Sequence, residues 1–461
     1  MSLPRVAAAT AVGVCALTLA AAPAASDTRL CDASYQNCRT PLLDLINAER
    51  IGIDVGFWFM EDMRYATALI ARWKAGVPVR VIMDRRATAS YPYNATVLQT
   101  LADAGIPMRE KTSSGIVHWM TMIFAGQNVA QFGGANFTPH AFLPTAPFRD
   151  HHDEVIVFTD TPTLVSSFKT RFDDVWITTS GYRNYANGPA VPVRSYPKYA
   201  ISSELNFPPY QNFATRSVSA YDAETIGIDA LIYRITDRRH TDALLAARRR
   251  GVPVRIITEP QQYRDPKRLW HSWNIDRLYM AGARIRIRTH AGWMHAKTTL
   301  LRGQRMTIFG SSNWTSPSAT SQLEHNIFTK DGLYYLFFTS LFERKWTNAT
   351  GSVETGAFTP LPPDKPSYVA PASSAIGQPL TVTLKWKAGY WAHKYDIYVG
   401  TSATPARVAA NVELGPSPSS SDYRTYTIGN LRRGTTYYWK IVSKTMANRS
   451  AAGSVWSFRT Y

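Results

Sequence analysis

Apolar residues recur along this chain with two different periods. Short branched runs, Ile51-Gly52-Ile53-Asp54-Val55 and Val77-Pro78-Val79-Arg80-Val81, bracket a stretch in which Ala66, Leu69, Ile70 and Trp73 return every three or four residues before Gly76. The spacing predicts a strand, an amphipathic helix closed by glycine, and a second strand. The same alternation returns around Ala243, Leu244 and Ala247 before Gly251. Each stretch reads as a βαβ unit, so the expected fold class is α/β, a mostly parallel sheet flanked by helices.

The two stretches are copies of one another. Residues 51–86 align with residues 226–261 at a constant offset, Ile51-Gly52-Ile53-Asp54 on Ile226-Gly227-Ile228-Asp229 and Gly76-Val77-Pro78-Val79-Arg80 on Gly251-Val252-Pro253-Val254-Arg255. An internal repeat of this kind predicts two related half-domains facing one another. Similarity resumes between residues 115–138 and 292–315, where His118 precedes Asn136 by the same interval that separates His295 from Asn313. A strand, a turn at Gly126-Gln127 or Gly303-Gln304, and a returning strand bring each His and Asn to one end of a hairpin.

His295-Ala296-Lys297 followed by Gly310-Ser311-Ser312-Asn313 resembles the HxK and GSxN motif of the phospholipase D superfamily. His118 followed by Gly133-Gly134-Ala135-Asn136 resembles it too, and the likeness covers roughly residues 40–350. It implies phosphodiester chemistry without a metal or other cofactor. One histidine attacks phosphorus, the other protonates the leaving alcohol and then activates water, and lysine and asparagine hold the phosphoryl oxygens. The resemblance favours His118 as nucleophile and His295 as acid and base, although the spacing is symmetric. Ser311, Ser312 and the residue two after His118 fall on the substrate side of the motif.

The chain departs from the pattern in two ways. The aspartate usual seven residues after each histidine is Ala125 and Arg302, and the lysine expected after His118 is Met120. Loss of one preorganised donor costs about 3–4 kcal/mol, a hundred- to a thousand-fold in rate. Three explanations of Met120 stand: divergence to an asymmetric site, a binding protein without activity, or a substitution that silences the enzyme, the last favoured by the intact His118 and Asn136.

A histidine needs a partner that fixes its tautomer. Glu154 and Glu324 follow the asparagine of their copies and are assigned to hold the opposing or neighbouring histidine, with Asp153 the alternative in the first half; surface acids are the competing reading. Trp119 and Trp293 flank the histidines and line a substrate channel or fill the core. Arg238, Arg239 and Arg248 to Arg250 read as a solvated helix face. His151, His152 and His325 lack a spaced ligand set, so no metal site is expected.

After Trp346 the repeat ends. Proline-rich residues 359–371 suit a stiff linker, and the runs beyond read as short strands of an all-β sandwich. Trp386 with Leu431, Thr435, Tyr437 and Ile441 resembles a fibronectin type III module, which implies a spacer or adhesion unit. The expected organisation is a leader over 1–26, half-domains over 27–190 and 191–355, a linker over 356–365 and the sandwich over 366–461.

The leader joins Arg5 to a short apolar run and small residues before Asp27, the layout of a secretory signal. Export leaves Cys31 and Cys38 as a pair suited to a disulfide. The chain has 461 residues and a formal charge of +18, or +17 without the leader's single Arg, which favours anionic partners. A secreted, monomeric phospholipase D working on phospholipid at a membrane or micelle surface is the leading expectation. A nuclease of the same superfamily, with nucleic acid as partner, and an inactive surface-binding protein are the alternatives.

Overall fold

The structure, a computed structural model, describes residues 27–188, 194–416 and 422–461. The first sheet has eight strands in the spatial order Thr28–Asp32, Val155–Thr159, Val129–Gly133, Thr121–Phe124, Ile53–Gly56, Val79–Met83, Met108–Lys111, Tyr182–Ala186. The second repeats that order with Leu205–Asn206, Asn326–Thr329, Met306–Gly310, Lys297–Leu301, Ile228–Ile232, Val254–Thr258, Arg284–Arg288 and Thr355–Ala357. In each, the first βαβ pair is parallel and the hairpin that follows the histidine is antiparallel.

Local chemistry explains the matched helices. Met63–Lys74 starts where the Asp62 side chain accepts from the Arg64 N–H, and Arg238–Arg249 starts the same way at Asp237. Each buries its apolar stripe, Tyr65, Ala66 and Leu69 in one and Ala243, Leu244 and Ala247 in the other. Arg238 and Arg239 stay exposed on the opposite face.

The halves meet over one shared core. Trp119, Phe132, Phe168 and Phe172 from the first interleave with Leu300, Phe309 and Phe338 from the second, each fully or almost fully buried. A buried Phe or Leu contributes about 1.5–3 kcal/mol, so this seam fixes the halves as one body. Behind the first sheet the buried Asp54 carboxylate binds Arg80 at 2.7 Å and Arg194 at 2.6 Å. Burial raises its pKa, but the two guanidinium groups outweigh that and hold it below the usual range.

Two expected boundaries shift. Residue 190 lies outside the described residues, but Arg194 and the Tyr196 hydroxyl both bind Asp54, so the start of the crossover belongs on the first half. The expected linker begins inside a strand. Thr355–Ala357 pairs with Arg284–Arg288, and the Phe358 N–H donates to the Ile285 carbonyl, so the second half extends through Phe358.

The C-terminal unit has a three-stranded and a larger sheet around Trp386, Tyr395, Ile397, Trp439 and Ile441. The Tyr437 hydroxyl accepts from the Arg432 N–H at 2.9 Å, pinning the preceding turn. It docks on the helix Leu269–Met280, where Ser272 meets His393 at 3.3 Å. Cys31 and Cys38 form a disulfide. No helix among the described residues is long and apolar enough to cross a membrane.

Candidate active site

Each histidine lies just before the first strand of its hairpin, and each asparagine just after the second. His118, Asn136, His295 and Asn313 all line one cavity of about 640 Å³ between the halves. Asn136 and Asn313 are buried to 9% and 7% exposure, and the Oδ1 of each finds no protein partner among the described residues. Buried amide oxygens without partners inside a cavity are suited to binding a polar ligand.

Two ladders between the halves decide which carboxylate holds which histidine. Val117 bridges to Leu323, and the His118 N–H donates to the Leu323 carbonyl at 2.8 Å. Asp150–His152 pairs in parallel with Ala291–Trp293, and the Asp153 N–H donates to the Trp293 carbonyl at 2.7 Å. The partners therefore cross. Glu324 Oε2 lies 2.8 Å from His118 Nδ1, and Glu154 Oε1 touches His295 Nδ1. Asp153 faces away from both catalytic candidates and binds His151, His290 and Lys345 instead.

The second half's lysine curls over its own histidine. Lys297 Nζ lies 2.8 Å from His295 Nδ1 and 3.2 Å from Nε2. Gly134 makes this possible: a Cβ there would come within 2.9 Å of Glu154 Oε2 and 3.3 Å of Lys297 Nζ. The equivalent residue in the second copy is Ser311, whose hydroxyl donates to Glu324 Oε2 at 2.5 Å. Glu154 thus faces an ammonium and Glu324 a hydroxyl.

Met120 is fully buried, does not line the cavity and has φ +40°. The first strand of its hairpin begins at Thr121, whereas the second copy's begins at Lys297 itself. The asymmetry is therefore in the backbone as well as the side chain, and Met120 is corrected from a substrate-side residue to a buried one. Trp119 is likewise a core residue, fully buried, with its indole N–H on the Glu324 carbonyl. Ser311 and Ser312 do not reach the cavity; Ser311 braces Glu324, and Ser312 Oγ accepts from Asn326 at 2.8 Å. Trp293 does line the cavity and stacks on Tyr233 at 5.8 Å.

Burial pushes the Glu154 carboxyl up to about 8, against the lowering effect of Lys297. Burial first, then Lys297 and His118, holds the His295 imidazole well below its usual value. Both directions place the proton of this hydrogen bond on the Glu154 carboxyl, from which His295 Nδ1 accepts. Burial also pulls the Lys297 ammonium down to about 8, with Glu154 and Glu324 opposing.

His151, Asp153 and His290 put one ligand atom each within 4.8 Å of one another, a grouping hidden in the sequence because His290 comes from the other half. The buried Lys345 ammonium also touches Asp153 and binds Glu354 at 2.8 Å. Both Asp153 oxygens are engaged, so a cation is already present as an ammonium, and the residues do not fit a metal.

Sequence reasoning passed over Trp58, Phe59, Tyr91, Tyr233 and Arg234, which also line the cavity. The repeat places Trp58 on Tyr233 and Phe59 on Arg234, just beyond the ends of equivalent strands, the usual location of ligand contacts in open α/β sheets.

A family model described as "Cardiolipin synthase, PLD-like domain" matches residues 42–176 and 224–346, more than half of the chain. The chain belongs to this PLD-like family. The PLD-like chain is similar to the mitochondrial cardiolipin hydrolase of Homo sapiens, 27% identical over 169 residues, covering 36% of this chain and 63% of that one. The Chlamydomonas reinhardtii protein of the same name is 27% identical over 132 residues, covering 29% and 56%. The chain thus spans about three fifths of the length of these curated relatives. Among solved structures, phosphatidylserine synthase from Haemophilus influenzae Rd KW20 matches with TM-score 0.53 and 13% identity, over 72% of this chain and 87% of that one. Polyphosphate kinase from Porphyromonas gingivalis matches with TM-score 0.50 and 14% identity, over 72% and 48%. At these identities the likeness establishes the PLD-like fold alone.

Proposed function

We propose that this protein is an exported phosphodiesterase of phospholipase D type, hydrolysing phospholipid head-group esters through a phosphohistidine and able to pass the phosphatidyl group to an alcohol. The observation that carries this reading is the pair of imidazoles on one cavity, each tied at Nδ1 to a carboxylate from the opposite half. That tie leaves Nε2 of His118 to attack phosphorus and lets His295, sharing a proton with Glu154, serve the leaving oxygen. Asn136 and Asn313 would take up charge on the phosphoryl oxygens, and Lys297, which like Met120 does not line the cavity, would join them by leaving the His295 ring.

Apolar and aromatic lining, Trp58, Phe59, Tyr93, Ile116 and Pro139, supports a lipid substrate. The relatives are cardiolipin hydrolases by name, which supports the same class. The Cys31–Cys38 disulfide supports export. The Tyr437–Arg432 contact supports reading the C-terminal sandwich as a fibronectin type III-like spacer. Among the described residues none after Gln322 lines the cavity, so no catalytic part is assigned to that sandwich.

A second reading, a silent lipid- or surface-binding protein, draws on Met120 in place of lysine. A nuclease draws on the +18 charge. One experiment separates the three. The purified protein is incubated in chelator with vesicles of phosphatidylcholine and phosphatidylserine, and separately with DNA. Head-group release that disappears in His118→Asn supports the phospholipase, nicking supports the nuclease, and neither supports the silent protein.

A further inference from the structure

The cavity wall carries two opposite charges without ion-pair partners among the described residues. Glu61, in the loop after the strand Ile53–Gly56, lines the cavity and pairs with no Lys, Arg or His among the described residues. Arg234, in the equivalent loop of the second half, lines it too and makes no ion pair with a carboxylate among the described residues. The guanidinium is held in place: its Nε donates to Gln262 Oε1 at 2.7 Å, and Gln262 Nε2 donates to the Tyr233 hydroxyl at 3.1 Å.

Both charges act on the same neighbourhood. The Tyr91 hydroxyl, raised mainly by burial, is lowered by Arg234 and raised by Glu61. Arg234 also contributes to lowering His295, and the Tyr233 ring beside it packs on the His295 ring at 4.7 Å. Tyr91 stacks on Phe59 at 3.6 Å. Opposite charges in a cavity of low polarity gain by meeting, yet Glu61 and Arg234 form no ion pair with one another, and the Gln262 amide anchors the guanidinium.

We propose that Glu61 and Arg234 together select a head-group alcohol bearing both an ammonium and a carboxylate, the ammonium on Glu61 and the carboxylate on Arg234. This rests on the phosphodiesterase reading above and names its substrate class. A zwitterion of the amino-acid type neutralises both walls. Choline or ethanolamine satisfies Glu61 and leaves Arg234 facing a cation, and glycerol satisfies neither. The planar fork of Arg234 suits a carboxylate, and the surrounding rings suit an ammonium.

The test uses the full-length protein in chelator with mixed micelles of phosphatidylserine, phosphatidylethanolamine, phosphatidylcholine or phosphatidylglycerol at equal mole fraction. Binding of O-phosphoserine and of phosphocholine is measured by calorimetry in parallel. Charge-assisted contacts of this kind predict about a ten- to hundred-fold preference in kcat/KM for phosphatidylserine. Arg234→Gln should bring the serine-to-ethanolamine ratio close to one, and Glu61→Gln the serine-to-glycerol ratio down by at least about ten-fold; unchanged thermal melts exclude misfolding. Hydrolysis with no head-group preference, or fastest with phosphatidylcholine, overturns the proposal and leaves the enzymatic reading standing. Absent hydrolysis with phosphoserine bound selectively, and lost in Arg234→Gln, sinks the enzymatic reading and keeps the zwitterion site. Absent hydrolysis with equal binding of the two phosphates overturns both.

Discussion

Replacing Glu324 with glutamine tests the crossed histidine–carboxylate pairing at the cost of one atom's identity. Glu324 is fully buried, and its Oε2 accepts from His118 Nδ1 at 2.8 Å and from the Ser311 hydroxyl at 2.5 Å. The carboxylate forces the His118 proton onto Nδ1, which leaves Nε2 with the lone pair that attacks phosphorus. In Glu324→Gln the amide nitrogen takes the place of Oε2, giving one N–H to Nδ1 and the other to Ser311 Oγ, whose own proton turns to the His325 carbonyl at 3.2 Å, so the ring proton moves to Nε2. A wrong tautomer of this kind costs about a thousand- to ten-thousand-fold in kcat. At 1.36 kcal/mol per decade that is about 4–5.5 kcal/mol of transition-state stabilisation. Losing the charge from two hydrogen bonds should lower folding stability by only about 2 kcal/mol, visible as a modest fall in Tm. The assay is head-group release from micelles, in chelator, well below the variant's Tm. A kcat within ten-fold of the parent, with the fold intact, would refute the argument that His118 depends on Glu324.

Other consequences are as direct. The proton shared by Glu154 and His295 and the Lys297 charge are both lost as pH rises through about 8, so kcat should fall on the alkaline side, and Glu154→Gln should leave a limb set by Lys297 alone. The same group affects folding: a carboxyl raised from 4.5 to about 8 contributes stability that is full below 4.5 and lost as pH rises to 8, so Glu154→Gln should flatten Tm across that window. Arg80→Met leaves the Asp54 carboxylate buried with Arg194 as its one guanidinium and the Tyr196 hydroxyl, and should cost about 3–5 kcal/mol by denaturant unfolding, with Asp54→Asn added restoring part of it. Opening the Cys31–Cys38 loop by a double serine substitution should cost about 2.5 kcal/mol in the chain-entropy account, read from melts with and without reductant.

Much of this site was legible because the chain carries it twice. The interval from His118 to Asn136 and from His295 to Asn313 is the length of a hairpin, and the strands Thr121–Phe124 and Val129–Gly133 with their counterparts form it. The choice between opposing and neighbouring histidine for Glu154 and Glu324 stayed open in the sequence. Only the ladders between halves decide it, Val117 with Leu323 and Asp150–His152 with Ala291–Trp293, and pairing between distant segments leaves no local periodicity. Trp119 illustrates the alternation rule: next to His118, it faces the other way and joins Phe172 and Phe207 in the core. Ser311 and Ser312 resemble phosphate ligands by motif, but they are spent on Glu324 and Asn326. Arg234 and Glu61 lie in loops beyond strand ends, where polar residues are common and nothing in spacing distinguishes them from surface charge.

The central claim is that imidazoles from two halves of one chain act in turn on a single phosphorus. It is tested most directly by rapid acid-free quenching and mass spectrometry of the protein turning over bis(p-nitrophenyl) phosphate, whose good leaving group needs no acid. The account predicts a phosphoryl adduct on His118 that accumulates in His295→Asn, where water activation is lost, and is absent in His118→Asn. Undiminished turnover in both variants, or phosphorus attached to neither imidazole, would contradict it.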